Sequence, residues 1–308
     1  MRLVTRSDFD GLACAALLEE LGIVNEYLYT HPKDLQDGKV AVTSNDVLAN
    51  VPYVAGCGLW FDHHSSETQR QELAGKFKGA CEMEPSAARV IAKYYAKDPQ
   101  HAPKLGKFAE LLAAVDKADS AQYTRADILD PLGWMLLAFL TDPRTGMGYG
   151  TSYRVSNFEL MKSIPTMLRT MSVDQILANP DMQERVAAYR EDNEKYKKFL
   201  RETARLEGDA IVIDLRNKSN VPNGNRFMEY TLFPAQNISV RLTDGRKGEF
   251  VMISVGGSII NKTANVDVGA LMLKHGGGGH RNVGTCQVPP AKADEVLKDI
   301  LQQVNAKK

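Results

Sequence analysis

The chain has 308 residues, more than one small domain needs and well fitted by two of ordinary size. Its 44% hydrophobic and 25% charged residues exclude extensive disorder, and its 38 Lys and Arg against 38 Asp and Glu leave no global basic field to attract a long duplex. No apolar run approaches the ~20 residues of a membrane helix.

The opening residues MRLVTRSDFDG carry acidic side chains where a secretory signal would be apolar, so a cytoplasmic location is expected. Leu3 to Thr5 predicts a strand, and Gly11 to Leu21 a helix with apolar residues at helical spacing. Val24 to Tyr29, Val40 to Thr43 and Leu59 to Phe61 predict further strands. Helices are expected from Pro85 to Ala96 and from Pro103 to Val115, with a further helical block from about Pro131 to Leu177, broken by the Gly- and Pro-rich loop Thr141 to Gly150. The charged stretch from Asp181 to Leu206 predicts one long solvated helix linking two domains. Strands then return at Ala210 to Leu215, Ile238 to Leu242, Phe250 to Val255 and Val283 to Val288, with helices at Val266 to Lys274 and Ala291 to Val304. The pattern is α/β: a parallel sheet flanked by helices over residues 1–180, a helical linker over 181–207, and a smaller mixed α/β domain over 208–308. Cys14, Cys57, Cys81 and Cys286 are scattered without a C-x-x-C pair, which predicts reduced thiols.

Asp8 and Asp10 follow the first strand directly and precede a glycine and a helix. In parallel sheets ligands bind where strands end, and two carboxylates there can hold a hard divalent cation; the alternative is a helix cap and turn. A buried strand ending in Asp62-His63-His64 is hard to explain by packing. His63 is the expected ligand, with Asp62 and His64 beside it as supporting groups or phosphate contacts. Asp46 ends the apolar run from Val40, and Asp116 and Asp119 follow an apolar helix. The segment Lys274 to Gly284 holds four successive glycines, Gly276, Gly277, Gly278 and Gly279, before His280 and Arg281. It is read as an anion-binding nest with two added donors.

The order D-F-D-G, an isolated Asp, D-H-H and a late Asp resembles the DHH phosphoesterase superfamily, and G-G-G-G-H-R-N resembles the signature of its associated second domain. Together these motifs span Asp8 to Asn282. The resemblance implies a hydrolase that uses manganese, or magnesium, as one or two ions. It assigns Asp8, Asp10, Asp46 and His63 as metal ligands, with Asp116 favoured over Asp119 as the late one. Asp62 and His64 are assigned to catalysis, and Gly276 to Arg281 to the non-scissile part of the substrate. Many relatives carry a metal-binding His, or in some an Asp, shortly before the first D-x-D; here Arg6 occupies the nearest position. Arginine cannot ligate a cation, so Arg6 puts a second metal in doubt and becomes a candidate phosphate contact.

The expected reaction is hydrolysis of short phosphorylated nucleotides, either short oligonucleotides or cyclic dinucleotides. Pyrophosphatase or exopolyphosphatase activity is the first alternative, since the candidate cleft offers few aromatics besides Trp60, Phe61 and Tyr149. A catalytically weakened nucleotide-binding regulator is the second. Expected partners are a small phosphorylated substrate or short single-stranded nucleic acid. No long duplex and no membrane are expected, and a homodimer is compatible with the sequence.

Overall fold

The computed structural model describes residues 1–64, 67, 75–148 and 152–306. Tyr149 lies outside the described residues. The chain divides into two compact units, residues 1–122 with 131–188, and residues 123–130 with 189–308.

The first unit is built on five parallel strands: β1 (Arg2–Thr5), β2 (Glu26–Tyr29), β3 (Asp46–Ala49), β4 (Leu59–Asp62) and β5 (Gly79–Cys81). They lie in the order β2-β1-β3-β4-β5. The chain leaves β1 to one side for β2 and returns to the other for β3. Such a reversal point opens a crevice at the carboxyl ends of the strands. Helix α1 (Phe9–Glu20) is buried from Phe9 to Leu18, as expected of a helix that is apolar on nearly every side. Around it and the sheet lie α2 (Pro32–Gln36), α3 (Ala87–Tyr95), α4 (Ala102–Leu105), α5 (Ala109–Asp119), α7 (Gly133–Thr141), α8 (Asn157–Thr170) and α9 (Val173–Ala178). Short helix α6 (Arg125–Leu129) belongs to the second unit, and the long α10 (Pro180–Thr203) is shared between the two.

One strand departs from expectation. Val40 to Thr43 forms no strand; pairing begins three residues later, at Asp46, opposite Arg2. Trp60 and Phe61, expected near a cleft, are fully buried core residues, with the Trp60 indole N–H donating to Val51 O at 2.9 Å.

In the second unit six strands lie in the order β10-β11-β9-β8-β7-β6. They are β6 (Arg205–Glu207), β7 (Ala210–Asp214), β8 (Ile238–Asp244), β9 (Val251–Gly257), β10 (Gly278–His280) and β11 (Val283–Val288). Only β7 and β8 pair in parallel. Alternation does the sorting: Val240, Leu242, Ile253, Val255 and Cys286 face one core with Met272 of α12 (Val268–Lys274) and Leu297 of α13 (Ala293–Asn305). A further short helix, α11 (Met228–Leu232), precedes β8.

The glycine segment contributes to the second sheet: Gly278 to His280 form edge strand β10 against β11. Two of the four glycines are required by packing. A Cβ on Gly277 would stand 2.2 Å from Thr285 O, and one on Gly279 2.2 Å from Val283 O. His280 and Arg281 are exposed at the hairpin end, where Arg281 O accepts a hydrogen bond from Val268 N at the start of α12.

Candidate active site

The first unit gathers its acidic and histidine side chains at the carboxyl ends of β1 and β4 and at the end of α5. Asp8 caps α1, its Oδ1 accepting from Gly11 N at 3.0 Å. The glycine of D-F-D-G has a steric cause, because a Cβ on Gly11 would lie 2.0 Å from Arg6 O. Asp10 points from the first turn of α1 to the start of α3, where Ala87 N and Ala88 N each donate to it at 2.9 Å. These orphan helix N–H groups suit an anion. Even so, burial and the charge of Asp119 push the Asp10 carboxyl up to about 7.

His63 follows β4. Its Nδ1 lies 3.1 Å from Glu84 O, a pure acceptor, so the ring proton sits on Nδ1. The bare Nε2 then faces Asp119 Oδ2 at 3.2 Å and Asp10 Oδ2 at 3.8 Å. It makes no hydrogen bond there. Three electron-pair donors facing one another are repulsive unless a cation or proton lies among them. The His63 side chain is 11% and that of Asp119 32% exposed, whereas that of Asp10 is sealed at 0%, so the cluster is open to solvent on one side only. Burial raises the Asp119 carboxyl; nearby His63 opposes the rise and the charge of Asp8 adds to it.

Asp62 closes β4 and supports both histidines. Its Oδ1 accepts from His63 N and from His64 Nδ1, each at 2.8 Å. This bond to Asp62 raises the His64 imidazole above its ordinary value despite burial. The group Asp62, His63 and His64 also converges closely enough to share an ion.

Two expected ligands stand elsewhere. Asp46 begins β3 rather than ending a strand, which places it at the amino end of the sheet, about 13 Å of extended chain from Asn50. There its Oδ1 accepts from Arg2 Nε at 2.7 Å and its Oδ2 from Thr43 N at 2.6 Å. Burial opposes ionisation, but these donors hold its carboxyl below the usual range. Asp116, the favoured late Asp, accepts from Ser86 Oγ at 2.7 Å and from Arg89 Nε at 2.8 Å. It therefore ties α5 to α3, and Asp119, one helical turn on, is the residue that meets His63.

Asn50 was not foreseen. It follows β3 with a left-handed φ of 56°, is 1% exposed, and donates from Nδ2 to Asp8 Oδ1 at 3.0 Å. Locating the strand at V-L-A rather than at Val40 to Thr43 would have exposed it. Arg6 Nε meets the other oxygen of Asp8 at 3.0 Å, so both oxygens of Asp8 have partners.

A parallel sheet with Asp10, Asp62-His63-His64 and Asp119 converging at its carboxyl edge defines a phosphoesterase of the DHH type. In the comparison with solved structures, the chain matches the pGpG-specific phosphodiesterase PggH from Vibrio cholerae at 40% identity and TM-score 0.84, over 100% of this chain and 99% of that one. The chain belongs to the DHH phosphoesterase superfamily. More distant folds include the DHH domain of a protein described as a member of a ribosomal-protein family, at 14% identity and TM-score 0.60 over 100% of this chain and 87% of that one. RecJ from Thermus thermophilus in complex with Mn2+ matches at 12% identity and TM-score 0.54, over 97% of this chain and 51% of that one. No family model and no curated protein matches the chain. Among the described residues, no helix is long and apolar enough to cross a membrane.

Proposed function

We propose that the protein is a divalent-metal-dependent phosphodiesterase that cleaves short phosphorylated nucleotides, with a linear, 5′-phosphorylated dinucleotide as substrate. The observation that carries this reading is the bare Nε2 of His63 facing Asp10 and Asp119 at the strand ends. The full-length similarity to a phosphodiesterase described as pGpG-specific supports the substrate class.

Asp10, His63 and Asp119 would hold the ion, manganese in preference to magnesium because one of three donors is an imidazole. When bound, it supplies Lewis acidity: it lowers the pKa of water and offsets charge on the phosphate. Asp8 shapes the crevice from the cap of α1, held by Asn50 and Arg6. Arg6 offers a guanidinium to the phosphate oxygens. His64 is oriented by Asp62 through Nδ1, so its Nε2 can deliver a proton to the departing oxygen. In the second unit, His280 and Arg281 are exposed donors of the kind that suits an oxyanion.

A manganese-supplemented panel of pGpG, cyclic dinucleotides, longer RNA and pyrophosphate tests the reading. Hydrolysis of pGpG to GMP should dominate. Asp119→Asn should reduce turnover at least a thousandfold, roughly the scale of losing a catalytic metal ligand, while Asp116→Asn retains it. Preference for pyrophosphate, or full activity in Asp119→Asn, would refute it.

A further inference from the structure

Asp8 stands between Arg6 and Asp10 in the first motif, yet it takes no part in the cluster of facing donors. Among the described residues, the groups of three histidine or acidic side chains close enough to share an ion are Asp10-His63-Asp119 and Asp62-His63-His64. Asp8 is in neither. Both groups draw on His63, whose Nδ1 is committed to Glu84 O, so its one remaining ring nitrogen serves a single ion.

Asp8 is supplied instead with donors of the protein itself. Its Oδ1 accepts from Gly11 N and from Asn50 Nδ2, each at 3.0 Å, and its Oδ2 meets Arg6 Nε at 3.0 Å. Three of the roughly four lone-pair sites of a carboxylate are thereby taken. Its charge is matched by a guanidinium that cannot give up its own. An ion drawn to the remaining lone pair would be repelled by that neighbour.

Asn50 is held in place for this contact. Its N donates to Phe61 O at 3.1 Å, its φ is 56°, and it is 1% exposed. Its amide also decides the chemistry. A carboxylate of the same shape at position 50 would set two acceptor oxygens about 3 Å apart in a nearly sealed place, which calls for a cation between them. The amide turns that contact into a hydrogen bond.

We infer that the site takes one divalent ion, and that Arg6 and Asn50 together occupy the place of a second one against Asp8. Arg6 supplies a fixed positive charge, and Asn50 withholds the carboxylate that would demand another. The inference rests on the proposed metal-dependent phosphodiesterase reading, and it departs from the two-ion arrangement that the family resemblance allows.

Calorimetric titration of the full chain with Mn2+, alone and in the presence of inorganic phosphate, tests this on the unaltered protein, on Asn50→Asp and on the double variant Arg6→His with Asn50→Asp. Melting temperature checks folding. The unaltered protein should bind one Mn2+ per chain under both conditions, with the paramagnetic resonance spectrum of an isolated ion. The double variant should bind two. Without Mn2+, Asn50→Asp alone should melt at a lower temperature than the unaltered protein. Added Mn2+ should raise that temperature further than it does in the unaltered protein, because an ion then separates facing carboxylates. Two ions or none in the unaltered protein, or a folded double variant that still binds one, would overturn the inference. So would an Asn50→Asp protein that Mn2+ stabilises no more than the unaltered one. One bound ion without any dinucleotide hydrolysis leaves the inference standing and removes the phosphodiesterase reading; two bound ions with pGpG hydrolysis does the reverse.

Discussion

Asp10 shows how one residue can carry both the cost and the use of a site. Its carboxylate is buried between the ends of two helices, with Asp119 and His63 in front of it. Burial and Asp119 raise it to about 7, against about 4 in an unfolded chain. The folded protein therefore binds this proton more tightly than the unfolded one. Stability contributed by the protonated group is present at acid pH and is lost as pH rises from about 4 through about 7. A divalent cation stabilises the ionised form and reverses that loss. Mn2+ should accordingly bind more tightly with rising pH and level off above about 7, and should raise the melting temperature more at pH 8 than at pH 5.5. Thermal melts with and without Mn2+ at the two pH values check this; an equal shift at both would mean that Asp10 is not displaced from its proton by the ion.

At the scale of elements, what was legible in the sequence followed how local each signal is. The turn from β1 to α1 was readable because a strand, a capping Asp and a glycine follow one another directly. The glycine's cause was not, since it depends on Arg6 O standing 2.0 Å from where a Cβ would go. Alanine normally favours a helix over glycine by about 1 kcal/mol. Here Gly11→Ala should instead destabilise the protein by about 1–3 kcal/mol, as overpacking does, and disturb Asp8. Denaturant unfolding measures the sign, and a stabilised variant would contradict the steric account. The β3 assignment failed because the Val40 to Thr43 run is apolar and β-branched yet unpaired, while pairing runs from Asp46 to Ala49. That shift exchanged Asn50 for Asp46 at the strand end. Asp116 and Asp119 have equal local credentials, and only the approach of α3, with Ser86 and Arg89, separates them. In the glycine segment, Gly277 and Gly279 answer to the close approach of β11, a partner that composition alone does not name.

For the whole molecule, the parallel sheet and the second, mixed sheet were both readable from periodicity, because buried parallel strands and half-buried antiparallel ones leave different patterns. The family followed from the order of motifs along nearly the full chain, and a 40% identical phosphodiesterase over the same length agrees with it. What periodicity could not supply was which carboxylates meet, since that is decided by register and by the ends of α3 and α5. The central claim is that Asp10, His63 and Asp119 form the ion site, with Asp46 outside it. An anomalous difference map from crystals soaked in Mn2+ tests this directly. The account predicts a peak among Asp10, His63 Nε2 and Asp119 and none beside Asp46. A strong peak at Asp46, or density that leaves His63 uncoordinated, would contradict it.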